Sequence, residues 1–228
     1  MTDSMESFER IGPNYSVGGM QEARNRTMAA LEHIAAAIHP GMNEDEGERA
    51  GRKVLKEHGL LLGWHKVVVR FGCNTVLPYG APSIPNTILQ ESDIFTLDIG
   101  PIWQEWEGDG GDTFVVGNDP EMLKAKRDVK LLWDIVHAHW QHTGATGGEL
   151  YDFTEAVADQ MGWILNRGMP GHRVADFPHL HPGSLEGMPG TPTSHRWILE
   201  VLIKHKTLPF GAYYEDLMVS VEHSPSAV

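Results

Sequence analysis

Apolar residues early in the chain recur at the spacing of one helix face. They predict a helix over residues 20–38, which the His-Pro-Gly sequence at 39–41 ends. The positions that form this face are Met28, Leu31, Ile34, Ala35 and Ile38. A second helix is predicted directly afterwards, because Asn43 is a favourable N-cap residue and Glu46 completes a capping-box pair three positions later. This helix is predicted to end at Gly59.

The rest of the pattern mixes short β-branched runs with two long amphipathic stretches. The runs predict strands at residues 65–72, 93–103, 112–117, 196–203 and 212–221. The amphipathic stretches predict two helices, with apolar stripes formed by Val129, Leu132, Val136 and Trp140 and by Leu150, Phe153, Val157, Met161 and Ile164. Because long helices are mixed with pairs of strands and do not alternate regularly with them, the expected fold class is α+β.

The composition restricts the possible partners. The 228 residues carry a formal net charge of −13, which argues against nucleic acid, since phosphate binding needs clustered Lys and Arg. The single cysteine, Cys73, forms no disulfide within the chain and suits a reducing compartment. No apolar stretch approaches the ~20 residues of a membrane span, and no signal peptide is evident. We therefore expect a cytoplasmic protein with no nucleic-acid and no membrane partner.

Four carboxylates are candidates for a functional site. Asp98, Glu200 and Glu215 each interrupt an apolar strand, where a charge is costly unless it is paired or bound to metal. Asp109 follows Asp98 by eleven positions, so the two carboxylates can face each other from adjacent strands. Taken alone, the sequence Asp-Gly-Gly-Asp at 109–112 is more typical of an acidic turn. A single carboxylate in a strand is more often a charge at the strand edge or one half of an ion pair.

Two histidines complete the candidate set. His172 and His179 stand seven positions apart in the segment GHRVADFPH, which by itself fits a loop with two imidazoles as well as half of a metal centre. His181, which borders a Gly/Pro-rich loop, is a candidate to line a pocket. The remaining histidines, including His65, have no comparable framework.

The motifs taken together resemble the methionine aminopeptidase, prolidase and creatinase superfamily. The resemblance rests on LDIG, GDGGDTFVVG, the GH pair with its second histidine, YYEDLMV and AIHPGMNEDEGERA, and it extends from Glu22 to Val221. It implies the pita-bread fold, in which helices cover a curved antiparallel sheet around a dinuclear metal site. The chain is then expected to form one catalytic domain over residues 1–228, with its core at about 20–221.

The family order of metal ligands falls on five residues of this chain. They are Asp98, Asp109, His172, Glu200 and Glu215. By resemblance, Asp109 and Glu215 bridge two divalent cations, Asp98 binds one of them, and His172 and Glu200 bind the other. Carboxylates with one imidazole favour Mn, Fe or Co, with Zn as a further possibility. Bridging carboxylates hold two cations ~3.5–4 Å apart, so that a shared water becomes the nucleophile near neutral pH.

The resemblance also implies a reaction. The expected protein is an aminopeptidase-like hydrolase that cleaves a short peptide or small amide, with Glu200 as a general base and His179 as a hydrogen-bond donor to the substrate carbonyl. A non-peptide metabolite as substrate and a non-catalytic binding module are the alternatives. A homodimer is compatible with either reading.

The chain departs from the family pattern in residues that the resemblance places near the substrate. Tyr79, in FGCNTVLPYG, stands where peptidases of this family carry a histidine, and tyrosine is a poor proton shuttle at neutral pH. The family's GHGIG becomes GHRVA, so Arg173 is expected either to bind a substrate carboxylate or to pair with Asp176. Tyr79, Arg173 and His181 are therefore the expected substrate-binding residues.

Overall fold

The computed structural model describes residues 5–178 and 183–220. Its helices are α1 (Met5–Phe8), α2 (Val17–Ala37), α3 (Glu44–Glu57), α4 (Pro120–Thr143) and α5 (Gly147–Gln160). Its strands are β1 (Leu61–Leu62), β2 (Val68–Phe71), β3 (Asp93–Ile99), β4 (Pro101–Trp103), β5 (Trp106–Glu107), β6 (Gly110–Val116), β7 (Trp163–Leu165), β8 (His172–Arg173), β9 (Trp197–His205) and β10 (Gly211–Leu217). A 3₁₀ helix, Gly72–Val76, follows β2. The mixture of helices and strands confirms the α+β class.

The helix ends follow capping chemistry. Helix α2 begins three residues earlier than predicted, because the Ser16 hydroxyl accepts a hydrogen bond from the Gly19 amide at 3.0 Å. The capping box predicted at α3 is confirmed: Asn43 accepts from the Glu46 amide, and Glu46 accepts from the Asn43 amide, each at 2.9 Å. Gly59, with φ of +69°, lies in the left-handed region just after this helix.

The two longest helices are amphipathic. Helix α2 has 21 residues and α4 has 24, and each buries one face. Within the part of the chain that the structure describes, no helix combines the length and the apolar character that crossing a membrane requires.

Most strands form one antiparallel sheet in the order β2-β3-β6-β10-β9-β7, and β8 pairs with β9 away from this path. A smaller sheet has the order β1-β4-β5. The strand predicted at 93–103 is therefore two strands that belong to different sheets. Ile164, predicted on the stripe of α5, lies in β7 instead and is 45% exposed. The helix ends before it because Gly162 adopts a left-handed conformation with φ of +90°.

The helices leave one face of the sheet free for a site. Alternate residues of β9, such as Leu199 and Val201, belong to the core that α4 and α5 complete. The indole of Trp133 in α4 donates a hydrogen bond to the Leu199 carbonyl at 2.9 Å, which fixes the helix on the strand. Residues of β3 such as Leu97 pack in the same way against α2 and α3. The intervening residues of these strands therefore point away from the helices.

The partly buried Asp112 of β6 supports a prediction on stability and pH. Burial raises the pKa of its carboxyl from 3.8 to about 6, although the Thr113 amide donates a hydrogen bond to it at 2.7 Å. The folded state therefore binds more protons than the unfolded state between these values, and its stability rises as the pH falls through this window. Asp112→Asn should raise the free energy of unfolding by about 1–2 kcal/mol at pH 7, after allowance for solvent screening.

Urea denaturation at several pH values measures this effect. The gain should shrink below pH 6 and disappear near pH 3.8. Glu91→Gln, at an exposed position, serves as the control for loss of one negative charge. An Asp112→Asn gain that is equal at pH 4 and pH 7 would contradict the explanation.

Candidate metal centre

Strand register aligns carboxylates in one row across the sheet. Asp98 in β3 is paired with Gly111 in β6, which is paired with Glu215 in β10, which is paired with Glu200 in β9. Directly paired residues share a face of the sheet, so all three carboxylates lie on the face that the helices leave free. Gly111, in the middle of the row, has no side chain, and the ring of Tyr213 lies within 2.4 Å of the position that a Cβ would take there.

Asp109 and His172 lie on the same face, beside this row. Asp109 precedes Gly111 by two residues, and His172 in β8 is paired with Ile198, two residues before Glu200. The Nδ1 of His172 lies 2.8 Å from the Arg173 carbonyl oxygen, which orients the Nε2 towards the carboxylates. That Nε2 lies 2.8 Å from Asp109 Oδ2 and 3.5 Å from Glu200 Oε1. The structure thus brings all five predicted ligands together.

Within the described residues, two groups of side chains could each hold a cation. One group contains His65, Asp98 and Asp109, and the other contains Asp109, His172 and Glu215. In each group one ligand atom per residue lies within 4.8 Å of the others. Asp109 belongs to both groups, which is the arrangement that a bridging ligand requires.

The four carboxylates of the centre are buried close to one another. Asp98, Asp109, Glu200 and Glu215 are 6%, 2%, 6% and 1% exposed. Burial, together with the neighbouring carboxylates, raises the pKa of Glu200 to about 7 and that of Glu215 well above its usual range. Burial also acts to raise the pKa of Asp109, but the positive charges of His65 and His172 lower it overall.

The pKa values of the two histidines are also raised, which in their case favours the charged form. Burial lowers the pKa of His172, but Asp109 and Glu200 outweigh it and raise the pKa to about 9. His65 behaves similarly: burial acts against the charged form, and Asp98 and Asp109 raise its pKa well above the usual range. In the metal-free protein, protons on the imidazoles therefore partly neutralise the carboxylates.

The donor atoms fit divalent metal ions. Asp98 Oδ1 and Glu215 Oε1 are buried and have no hydrogen-bond partner among the described residues. Native proteins seldom leave such atoms without a hydrogen bond, and a cation satisfies them directly. Carboxylate oxygens combined with imidazole nitrogens suit Mn, Fe, Co or Zn better than Ca.

A cavity of about 280 Å³ opens onto this centre. Asp98, His172 and Glu200 form part of its wall, and Trp64 and Tyr79, which are 51% and 41% exposed, stand at its side. The other described residues that line it are His65, Gly168, Met169, Pro170, Gly171, Gly183 and Ser184. The position of Tyr79 is compatible with the contact to substrate that the sequence predicts.

A model of the metallopeptidase family M24 matches residues 18–192, more than half of the chain. The chain belongs to metallopeptidase family M24. The match includes the positions of Asp98, Asp109 and His172 and ends before β9 and β10, which carry the two glutamates. Proteins of this family typically use divalent metals, in agreement with the ligand groups found here.

Among known sequences, the chain is similar to methionine aminopeptidase A of Synechocystis and methionine aminopeptidase 1 of Mycobacterium tuberculosis. It is 27% identical to each, over 171 and 205 residues. These matches cover 72% and 79% of this chain and 66% and 73% of the relatives. This M24 chain thus spans about two thirds of the Synechocystis protein.

Solved structures of M24 proteins share the fold. An X-Pro aminopeptidase from Thermotoga maritima superposes with a TM-score of 0.71 at 17% identity, over 90% of this chain and 58% of its own. A methionine aminopeptidase from the same organism gives 0.69 at 16% identity, over 92% of this chain and 95% of its own. The expected pita-bread architecture is confirmed.

The structure contradicts both expectations for Arg173. Its side chain is 0% exposed and donates hydrogen bonds to Glu9 Oε2 at 3.2 Å and to the Arg10 carbonyl at 2.7 Å. Successive residues of a strand point to opposite faces, so Arg173 must face away from the cavity that His172 lines. Asp176, the other expected partner, accepts a hydrogen bond from the Gly12 amide instead.

Two predicted site residues, His179 and His181, lie outside the described residues, so their roles stay predictions. Sequence reasoning missed His65, which is 6% exposed, with Nε2 3.0 Å from Asp98 Oδ1. It was assigned to a strand, whereas β2 begins only at Val68. The available signal was weak: a histidine directly before a β-branched run that pairs with the strand of Asp98.

We predict that Glu215→Gln stabilises the metal-free protein. Glu215 lies opposite Glu200, and its Oε1 has no hydrogen-bond partner among the described residues. In the wild type, keeping this carboxyl charged or protonating it therefore costs folding free energy. In the presence of EDTA, the melting temperature of the variant should be about 2–4 °C higher than that of the wild type, for a gain of about 1 kcal/mol. Added Mn²⁺ should stabilise the wild type much more than the variant.

The neighbouring Asp216 provides a matched control. It is equally buried in β10, but it is paired with Arg24 through two hydrogen bonds. Asp216→Asn should lower the melting temperature and preserve the response to Mn²⁺. If Glu215→Gln lowered the melting temperature of the EDTA-treated protein as Asp216→Asn does, Glu215 would have an undetected stabilising partner.

Proposed function

We propose that this chain is a metal-dependent hydrolase with two divalent cations that removes the first residue of a short peptide. The observation that carries the proposal is the pair of ligand groups that share Asp109 in the wall of a cavity. Two divalent cations bound there would make a shared water acidic enough to attack a carbonyl near neutral pH. Membership of family M24 and the names of the relatives support a peptide as substrate.

The proposed ligand roles follow the geometry and the family order. Asp109 and Glu215 are proposed to bridge the cations, with Asp98 on one side and His172 and Glu200 on the other. Asp109 supports this assignment most directly, because it belongs to both ligand groups. Mn, Fe and Co remain the preferred metals on the chemistry of the donor set.

Glu200 is proposed to move a proton between the attacking water and the leaving amine. Its carboxylate combines two properties that this role needs: it lines the cavity, and burial with the neighbouring carboxylates raises its pKa to about 7, near the working pH. His179 is proposed to donate a hydrogen bond to the substrate carbonyl, on sequence grounds alone.

The cavity favours a small substrate with an apolar first side chain. Its volume of about 280 Å³ is just below the ~300–1,000 Å³ typical of ligand pockets. Trp64, Tyr79 and Met169 contribute apolar surface to its wall. The same features are compatible with the second candidate function, cleavage of a small non-peptide amide. They also allow a binding module, although the complete ligand set argues against a site that has lost catalysis.

A peptide panel tests the proposed function. The protein loaded with Mn²⁺ or Co²⁺ should release the first residue from tripeptides that begin with an apolar residue, and release should be slower when the amino group is acetylated. Asp109→Ala should abolish release and remove at least one metal ion per chain, because it removes the shared ligand. Elemental analysis and chromatographic product detection measure the two effects.

The control for this test is Asp112→Asn, which removes a nearby carboxylate outside both ligand groups. It should keep the metal content and the activity. Metal binding without release from any peptide would favour the non-peptide amide, and no metal binding at all would favour the binding module.

His179→Ala should lower turnover by about 10²–10³-fold, as the loss of an oxyanion donor does. Its metal content should stay at the wild-type value, whereas His172→Ala should lower it, because the imidazole of His172 lies within 2.8 Å of Asp109. Steady-state kinetics and elemental analysis of both variants separate the roles. Loss of metal from His179→Ala would assign that residue to the centre itself.

A cytoplasmic location, a single catalytic domain over residues 1–228 and a homodimer are proposed with this function. The location rests on the single cysteine, Cys73, which suits a reducing compartment. The domain assignment is supported by one large sheet whose strands extend from Val68 to Leu217.

A further inference from the structure

We propose that His65 is a sixth ligand of the metal centre and binds, through Nε2, the cation next to Asp98. The ligand set taken from the family order has a single imidazole, that of His172, and His65 would add a second. The inference rests on the two-cation centre proposed above and concerns which residues complete it.

The first argument is the geometry between His65 and Asp98. The Nε2 of His65 lies 3.0 Å from Asp98 Oδ1, yet this oxygen accepts no hydrogen bond from the described residues. The two atoms are close but are not aligned as donor and acceptor. Two ligand atoms that each lie ~2.1 Å from one cation at a right angle are about 3.0 Å apart. The observed separation therefore fits two neighbouring ligands of one ion.

The second argument is the correspondence between the two ligand groups. On one side, His172 Nε2 lies 2.8 Å from Asp109 Oδ2, and on the other, His65 Nε2 lies 3.0 Å from Asp98 Oδ1. Asp109 completes both groups, so each cation position has carboxylate oxygens and one imidazole nitrogen. Nitrogen donors on both sides shift the preference of the whole centre towards borderline transition metals and away from Mg²⁺.

The third argument is the space that holds the ring. Gly100, two residues after Asp98, has no side chain, and a Cβ at that position would lie 2.6 Å from the Cβ of His65. The ring lies beside Trp64 and Tyr79, with centroids 5.3 Å and 4.9 Å away. Its Nδ1 is buried without a hydrogen-bond partner among the described residues, so packing and the attraction of Asp98 position the imidazole. A site that encloses the ring in this way fixes the direction of Nε2.

Cobalt substitution tests the inference in the full-length protein. Proton NMR of the wild type loaded with two equivalents of Co²⁺ should show two strongly shifted ring N–H signals, one from each ligating histidine. His65→Ala should lose one of them and His172→Ala the other. His137→Ala is the control, because His137 is a partly buried histidine that stacks on Trp133 outside the ligand groups, and both signals should persist.

Metal affinity gives an independent readout. Titration with Co²⁺, followed by visible absorption, should show that His65→Ala weakens one of the two binding steps by more than ~100-fold. Loss of a hydrogen bond outside the ligand shell costs about 10–100-fold, so a larger loss indicates a direct ligand. Gly100→Ala should weaken the same step by displacing the ring, whereas Gly18→Ala, where an added Cβ meets nothing within 4 Å, should not.

The outcomes separate the inference from the proposed function. A wild-type protein that binds two Co²⁺ ions and shows a single ring N–H signal, unchanged in His65→Ala, would overturn the role of His65 alone. A wild-type protein that binds no Co²⁺ would overturn the metal centre, and the inference with it. Because the NMR count on the wild type requires no substitution, poor folding of a variant does not prevent the decision.

Discussion

Repulsion among four buried carboxylates is the constraint on which this structure depends. Glu200 and Glu215 are directly paired across two strands, and Asp98 completes the row on the same face of the sheet. Like charges at paired positions destabilise a sheet, and burial increases their cost. The arrangement is stable only if positive charge enters the centre, either as protons on imidazoles or as bound cations. In the metal-free protein, Asp109 and Glu200 raise the pKa of His172 to about 9, which favours the first of these.

The remainder of the fold offsets this cost at a distance from the site. Helices α2 to α5 bury the apolar residues that alternate with the carboxylates, so one strand such as β9 supplies both the core and the centre. Capping boxes at α3 and α5 and the hydrogen bond from Trp133 to Leu199 anchor the helices. Because the register is fixed by this buried face, a shift by one residue would move every ligand into the helix layer.

The sequence was informative where a single residue violates its local pattern. A carboxylate inside an apolar strand needs a partner wherever the strand lies, so Asp98, Glu200 and Glu215 could be selected before the fold was known. His65 could not be selected in this way, because it precedes β2 and its proximity to Asp98 depends on the pairing of β2 with β3. Arg173 was misassigned for a related reason: its partner, Glu9, is 164 positions away along the chain. The capping box of α3 was predicted from the sequence because it involves contacts over only three residues, whereas that of α5 was not predicted.

One departure from the family pattern, Tyr79, lies next to the proposed ligand His65. Tyr79 stands where relatives are expected to carry a histidine, and its ring lies 4.9 Å from that of His65. The segment of Tyr79 thus provides no imidazole, but His65, from another segment, places its imidazole beside Asp98. Tyr79 contributes apolar surface and a hydroxyl group to the cavity wall. A histidine that binds metal through one ring nitrogen and carries hydrogen on the other has no free lone pair to accept a proton. If His65 is a ligand, its imidazole nitrogen serves the metal centre and not the substrate. Under the proposed function, Glu200 is then left as the group in the cavity wall that transfers a proton, and Trp64 and Tyr79 are the aromatic residues of that wall.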